Sequence, residues 1–214
     1  MNSYEEDKIK REKARLKYIA DSDNMHNLIN AVPEQRYGAD VGFFDIEWTI
    51  ERYRKSYDGF DENPDFQRGH VWTEEQQIKY VEAFIRGTVG DTARTITLNC
   101  PDFHRDTVAS DSDLKGFVVV DGLQRLTAVR RFMDDDFTIF NDVVEGGFNK
   151  NSFDGTRFNI KSLNGFRFNI LNFQYKREVI KYYLAFNDGG TVHTKEEIQR
   201  VKNMLTELEG DKND

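Results

Sequence analysis

The residues best suited to chemistry follow an apolar, β-branched run at residues 117–120. The next eight residues read Asp-Gly-Leu-Gln-Arg-Leu-Thr-Ala, and they lead into apolar spacing that is typical of a helix. A glycine between a strand and a helix lets backbone amides approach a ligand, and the positive end of the helix favours an anion. Arg125 is able to hold a phosphate through two hydrogen bonds, while Gln124 offers a neutral donor to a phosphate oxygen or a water. Residues 121–125, here called the Asp-Gly turn, therefore predict an anion site.

A structural interpretation of the Asp-Gly turn stays open at this point. Asp121 is a residue type that caps helices, and Arg125 could pair with a carboxylate such as that of Asp121 or Asp65. A cation in the first helical turn opposes the helix dipole, so Arg125 needs an anion or a carboxylate nearby in either case. The eight residues alone do not decide between a bound ligand and an internal ion pair.

A second Gln-Arg pair lies in residues 64–72, here called the Gln-Arg loop, which contains a proline and a glycine that break regular structure. Gln67 and Arg68 could converge with the Asp-Gly turn on one anionic ligand, and Phe66 or Trp72 could stack on a base. Alternatively, the two aromatic side chains anchor the loop in the core and Arg68 is exposed.

Secondary-structure elements must position these two segments. A block of charged residues predicts a solvated helix over residues 5–17. Apolar periodicity and helix-end signals predict helices over residues 45–56, 74–86, 124–133 and 178–186, and a last helix that ends at about residue 208. Alternating or continuous apolar runs predict strands over residues 94–100, 117–120, 137–140, 157–160 and 166–173. The Asp-Gly turn therefore joins a buried strand to a helix.

Helix-capping residues support several of these boundaries. Thr73 with Gln76, and Thr194 with Glu197, have the spacing of capping boxes that open helices. Residues 187–190 read Asn-Asp-Gly-Gly, which is most simply a helix C-cap.

Composition limits the class of protein. The 214 residues are 38% hydrophobic and include 17 Phe and 9 Tyr, enough to fill the core of one large domain. One cysteine, Cys100, excludes an intramolecular disulfide and a cysteine-cluster zinc site, and we expect it to be a buried small hydrophobe. The chain lacks an apolar run of about 18 residues and the apolar region of a signal peptide. We therefore expect a cytoplasmic protein without a membrane partner.

Charge and motif content exclude further classes. The net charge of -8 argues against a broad phosphate-binding surface, although residues 8–17 are basic and form the best local candidate for touching DNA. A solvated helix face explains that basic stretch equally simply. The four histidines lack metal-ligand spacing and no Walker-type loop is present, so neither a zinc hydrolase nor a P-loop ATPase is expected. Residues 134–136 and the 102–106 alternation could hold Mg²⁺, but acidic surface loops are common in an acidic chain, so no metal site is assigned.

Three motifs together resemble a known family. The Pro-Asp-Phe-Gln-Arg sequence at 64–68 followed by Val71-Trp72, the Val-Asp-Gly-Leu-Gln-Arg-Leu-Thr-Ala sequence at 120–128, and Phe-Asn-Asp-Gly-Gly at 186–190 are similar in order and spacing to the DUF262 family. That family is the N-terminal domain of GmrSD-type modification-dependent restriction enzymes, and the resemblance covers about residues 45–201. It implies an α/β, or α+β, fold of the ParB/sulfiredoxin-like kind, with a small mixed sheet flanked by helices and an N-terminal charged helix.

The resemblance also implies a ligand and a set of site residues. The ligand is a nucleoside triphosphate, bound with Mg²⁺ and hydrolysed to control DNA cleavage or DNA engagement. The residues implied as catalytic are Asp121, Gln124 and Arg125. The residues implied in nucleotide binding are Gln67, Arg68, Gly122, Arg125, Thr127 and Asn187.

Two departures from the family pattern shape the functional hypothesis. Leu123 stands where the family usually has a first Gln, so we expect hydrolysis to be weakened more than binding. No His-Asn-His constellation is present, so nuclease activity by this chain alone is not expected, and a separate nuclease or partner protein is a candidate partner. The leading hypothesis is a nucleotide-binding, NTP-hydrolysing regulatory domain in a restriction, phage or anti-phage setting. The alternative is a catalytically inactive DNA- or protein-binding module of the same fold.

The charged N-terminal block and the extent of the family resemblance predict the domain organisation. Residues 1–40 form a charged helical extension, residues 41–209 form the ParB-like domain, and residues 210–214 are a disordered tail.

Overall fold

The computed structural model describes residues 3–29, 36–104, 109–156, 165–187 and 194–210. The chain divides into two compact units, residues 1–32 and residues 33–214. The first unit contains helix α1 (Ser3–Ile29), and residues 9–21 of this helix are exposed along its whole circumference. The predicted charged helix is thus present and runs beyond the predicted residue 17.

The second unit contains the sheet and the remaining helices. The helices are α2 (Ile46–Ser56), α3 (Glu74–Ile85), α4 (Asp91–Arg94), α5 (Leu123–Met133), α6 (Lys176–Asn187) and α7 (Lys195–Gly210). The strands are β1 (Arg36–Val41), β2 (Phe60–Asp61), β3 (Thr95–Asn99), β4 (Phe117–Asp121) and β5 (Phe166–Leu171). Residues 36–40 belong to β1, so the sheet begins inside the range that the sequence assigns to the helical extension.

The five strands form one mixed sheet in the order β1-β5-β3-β4-β2. Neighbouring strands are antiparallel for β1 with β5 and for β3 with β4, and parallel for β3 with β5 and for β2 with β4. The α/β prediction with a small mixed sheet flanked by helices is confirmed.

Strand β4 lies between two apolar layers, which explains its continuous apolar sequence. Phe117 and Val119 join the cluster formed with α2, α3 and α5, whereas Val118 and Val120 join the cluster formed with α6 and α7. Because the side chains alternate between the two layers, the carboxyl end of β4 emerges between them. The Asp-Gly turn is at that end.

Some predicted elements differ from the structure. The strand predicted over residues 137–140 is wrong, because only Ile139 makes an isolated bridge, to Phe148, and Phe140 has a φ of +59° that an extended strand does not allow. The strand predicted over 157–160, the glycines at 189–190 and most of the predicted tail lie outside the described residues, while Gly210 ends α7. No helix in the described ranges combines the length and the apolar composition that crossing a bilayer requires.

Candidate functional site

Gly122 makes the turn between β4 and α5 possible. Its φ is +107°, and a Cβ at this position would lie 2.5 Å from Cδ1 of Ile96, so only glycine fits without displacement. Gly122 is also the N-cap residue of α5, and no side chain caps the helix there, so Asp121 is not the capping residue. The first backbone amides of α5 therefore have no side-chain acceptor at the N-cap.

Arg125 is held inside the turn by two acceptors. Nη2 donates to the Asp121 carboxylate, and Nη1 donates to the backbone oxygen of Thr92 at 2.8 Å. The Arg125 side chain is 14% exposed. The carboxylate of Asp65 is engaged elsewhere, 2.6 Å from Nζ of Lys176. Of the two carboxylates considered for Arg125, Asp121 is therefore the partner.

Gln124 joins the Asp-Gly turn to the Gln-Arg loop. Its Oε1 accepts hydrogen bonds from the backbone nitrogens of Val71 at 2.9 Å and Trp72 at 3.0 Å. Its Nε2 donates to the backbone oxygen of Gly69 at 3.2 Å. The amide thus ties together the two segments that the sequence predicts to converge, and its acceptor and donor are both used within the protein.

Gln67 attaches the Gln-Arg loop to strand β4 itself. Strand β2 pairs with β4 only at Phe117 and Val118, and the Gln67 side chain donates to the backbone oxygen of the next residue, Val119. The side chain therefore continues the edge of the sheet where β2 stops, because a buried carbonyl needs a donor.

Arg68 is engaged by a carboxylate from a distant helix. Its Nη1 lies 3.3 Å from Oε2 of Glu197, on α7, and the Arg68 side chain is 20% exposed. The aromatic residues of the loop are packed as core anchors: Phe66 is buried with its ring 5.6 Å from that of Tyr183, and Trp72 is half-buried with its ring 5.4 Å from that of Tyr80. The anchor interpretation is confirmed for these rings, but Arg68 is not freely exposed.

Sequence reasoning missed two further contributions from α6 and α7. Arg200 donates to the backbone oxygens of Asp65, Phe66 and Gln67 at 2.7, 3.3 and 3.2 Å, so it clamps the start of the Gln-Arg loop. An arginine on a solvated helix face carries no sequence signal for this role. The role of Arg200 depends on the packing of α7 beside the loop, which the tertiary structure determines.

Tyr183 of α6 is the second missed residue. The pKa of Tyr183 is raised to about 12, mainly by burial, with smaller increases from the carboxylates of Glu197 and Asp121 and smaller decreases from the guanidinium groups of Arg68 and Arg200. Tyr183 therefore lies within electrostatic reach of both Asp121 in the turn and Arg68 in the loop. Both motifs flank one end of β4.

The side chains of the remaining predicted site residues, Thr127 and Asn187, make no hydrogen bond to the Asp-Gly turn or the Gln-Arg loop among those that the described residues show. Thr127 is half-buried on the second turn of α5. Asn187 ends α6, and its Nδ2 donates to the backbone oxygen of Tyr183 at 2.7 Å. The structure thus places Asn187 one turn from Tyr183, with its amide turned to its own helix.

The cysteine and the acidic residues considered as alternative functional groups make internal contacts in the structure. Cys100 is buried as predicted, its Sγ donates to the Asp102 carboxylate at 3.0 Å, and burial raises the pKa of its thiol strongly. Within the ranges that the structure describes, no three His, Cys, Asp or Glu side chains gather in a group able to hold a metal ion. Asp135 and Asp136 instead pair with Lys150 and Arg131.

Comparison with known proteins gives one match. Residues 49–213 match the family model described as GmrSD restriction endonuclease, N-terminal domain, which includes both the Gln-Arg loop and the Asp-Gly turn. No curated protein and no solved structure matches the chain.

Proposed function

Because this chain belongs to the family of GmrSD restriction endonuclease N-terminal domains, we propose that it binds a nucleoside triphosphate where the Asp-Gly turn meets the Gln-Arg loop. Binding serves a regulatory role in a restriction system, either in defence or in counter-defence. The site residues are those of the two motifs: Asp121, Gly122, Gln124 and Arg125 from the turn, Gln67 and Arg68 from the loop, with Thr127 and Asn187 at the periphery.

The main support for the proposal is the set of hydrogen bonds that the Gln124 side-chain amide makes. Its three hydrogen bonds to residues 69–72 hold the loop against the N-terminus of α5. Arg125 bonds to Asp121 at the end of β4, and Arg68 follows Gln67, whose side chain bonds to Val119 of the same strand. Both arginines and the N-terminus of α5 therefore belong to segments attached to the carboxyl end of β4, where ligands of open α/β sheets commonly bind. Gln124 therefore positions the loop, and Arg68, Arg125 and the first backbone amides of α5 contact the phosphates.

The donor set fits a phosphate chain bound with Mg²⁺. Arg68 and Arg125 each face a carboxylate in the protein, so both positions already accommodate an anion next to a guanidinium. Mg²⁺ in nucleotide sites uses one or two carboxylates together with phosphate oxygens, and Asp121 is the carboxylate that the turn supplies. Bound Mg²⁺ would neutralise charge on the phosphates, while Arg125 would keep its bond to Asp121 and donate one of its remaining N–H groups to a phosphate oxygen.

A second candidate function is binding without hydrolysis. Leu123 is buried and belongs to the main apolar cluster. The position at which the resemblance to the DUF262 family implies a Gln therefore presents no polar side chain. A water in the site would therefore lack one orienting group, and the chain would act as a sensor or as a protein- or DNA-binding module.

Calorimetry on the purified chain separates these possibilities. We would titrate ATP, GTP, CTP and UTP with Mg²⁺ into wild type, Arg125→Ala and Arg86→Ala, and assay phosphate release in the same samples. Arg86 is an exposed arginine that follows α3 and gives a matched loss of charge away from the turn.

Each outcome of the titration has a defined meaning. We expect binding to be lost in Arg125→Ala and kept in Arg86→Ala, with phosphate release distinguishing an NTPase from a sensor. If no triphosphate binds to wild type or to a variant that frees Arg68 from its carboxylate partner, the Asp-Gly turn is a structural turn and the proposal fails.

A further inference from the structure

The carboxylate of Glu197 contacts the guanidinium of Arg68. We propose that this carboxylate competes with the nucleotide for Arg68. Nucleotide phosphate and Glu197 would bind Arg68 alternately, so Glu197 acts as an internal, autoinhibitory anion. The inference rests on the proposed nucleotide function and adds a residue of α7 to it.

The distances between Arg68 and Glu197 are long for an ion pair. The two carboxylate oxygens of Glu197 lie 3.3 and 3.5 Å from Nη1 of Arg68. Charge-assisted hydrogen bonds of strong pairs are about 2.7–2.9 Å long, so the pair is loose. A phosphate, which has three acceptor oxygens and more charge, is expected to replace it.

Glu197 keeps other partners when Arg68 leaves it. Its Oε2 accepts from the backbone nitrogen of Thr194 at 2.9 Å, and its own backbone nitrogen donates to Oγ1 of Thr194 at 3.2 Å. This capping box retains the carboxylate at the start of α7, where the helix dipole also favours it. Release of Arg68 therefore does not leave a buried charge without a partner.

Arg200 keeps the loop in place during such an exchange. Its three hydrogen bonds to the backbone oxygens of residues 65–67 do not involve the Arg68 side chain. The exchange is therefore confined to the Arg68 guanidinium, while α7 stays attached to the Gln-Arg loop. Glu197 thus acts on affinity and leaves the site assembled.

The test compares two neutralising substitutions in the first turn of α7. Glu197→Gln keeps an oxygen that can accept from Thr194 and removes the charge facing Arg68. Glu196→Gln removes the same charge from an adjacent, exposed position and is the matched control. ATP and inorganic triphosphate, each with Mg²⁺, are titrated calorimetrically into the full chain carrying either change, alone and combined with Arg68→Ala.

We expect Glu197→Gln to bind ATP about fivefold more tightly than wild type, which corresponds to about 1 kcal/mol, and Glu196→Gln to change affinity less than about twofold. The gain should disappear when Arg68 is alanine, because the competition acts through its guanidinium. Binding by Glu197→Gln alone, with none by wild type, would also support competition.

Two results would count against the idea and are distinguishable. If wild type binds ATP and Glu197→Gln binds no better than Glu196→Gln, the competition is overturned while the nucleotide proposal stands. If neither wild type nor Glu197→Gln binds any triphosphate, the nucleotide proposal itself fails.

Discussion

The two arginines of the candidate site are held by carboxylates in different ways. Arg125 bonds to Asp121, four positions earlier in the chain, and also to the backbone of Thr92. Arg68 contacts Glu197, which is 129 positions away on another helix, at 3.3 Å. The first pair belongs to one strand-turn-helix unit, whereas the second exists only when α7 packs beside the Gln-Arg loop.

The difference indicates which half of the site is rigid. The Asp-Gly turn is built by local geometry, since Asp121, Gly122 and Arg125 lie within five residues of one another around one helix start. The Gln-Arg loop is attached to three other elements: its own Gln67 side chain donates to the backbone of β4, and the side chains of Gln124 on α5 and Arg200 on α7 donate to the loop backbone. Ligand-dependent change is therefore expected at the Arg68 side chain of the loop, with the turn as the fixed frame.

The largest expected effect comes from the turn. Gly122→Ala should destabilise the fold by about 2–5 kcal/mol, because a positive φ costs roughly 1–3 kcal/mol and the clash with Ile96 adds a similar overpacking cost. Gly59→Ala is the control, since its φ is +126° but no atom lies within 4 Å of the added Cβ. Urea unfolding measures the free energy of unfolding of both variants. If Gly122→Ala and Gly59→Ala lose the same free energy, the structure around Ile96 has relaxed to accept the added Cβ, and the turn is not rigid.

The next effect tests how the loop depends on the turn. Gln124→Ala removes three hydrogen bonds and leaves backbone groups of residues 69–72 without these partners, so we expect a loss of about 1–3 kcal/mol. Trp72 fluorescence in a Trp48→Phe background reports the loop directly. Gln199→Ala, on the exposed surface of α7, serves as the control. An unchanged Trp72 signal would contradict the positioning role of Gln124.

Breaking the local pair Asp121–Arg125 should lower the free energy of unfolding more than breaking the long-range pair Arg68–Glu197. Asp121→Asn leaves the largely buried Arg125 guanidinium without its carboxylate and should cost about 1–2 kcal/mol, below the range for fully buried pairs. Glu197→Gln breaks a longer contact and should cost less than about 1 kcal/mol. Thermal unfolding at neutral pH compares them. A larger loss for Glu197→Gln would reverse the assignment of the rigid and the exchangeable pair.

The smallest effect appears only at alkaline pH and concerns Tyr183 between the two motifs. Its folded pKa of about 12 lies above the ordinary value of 10.0, so its contribution to stability is complete below pH 10 and is lost as the pH rises through about 12. Near pH 11, wild type should therefore lose ~1 kcal/mol more, relative to neutral pH, than Tyr183→Phe does. Tyr18→Phe, at an exposed position of α1, gives the control. Parallel stability profiles for wild type and Tyr183→Phe would contradict the shift.

Several parts of the fold were predictable because they depend on neighbouring residues. The capping boxes at Thr73 and Thr194 are present, and the helices predicted after them follow. The apolar run at 117–120 is a buried strand as predicted. Each of these features needs only local hydrogen bonds or a period of apolar side chains, which adjacent residues specify.

Other parts were not predictable, because remote partners decided them. Gln77 is buried on α3 together with the apolar residues Val81, Phe84 and Ile85, because its amide bonds to Trp72 and Arg131. Periodicity ranks a glutamine as exposed and contains no information about partners elsewhere in the chain. The two-residue strand β2 was missed for a similar reason, because its pairing with β4 and not its own composition makes it a strand.

The candidate site shows the same division. The sequence by itself determined the strand, the glycine turn and the helix that present Arg125, because these rest on backbone conformation and on residues within one helical turn of each other. Only the tertiary structure decided that Gln124 holds the Gln-Arg loop, that Arg200 clamps its carbonyls and that Glu197 faces Arg68. The physical reason is that charges and hydrogen-bond donors act over a few ångströms, and the residues concerned become neighbours only after the sheet and both helical layers have packed.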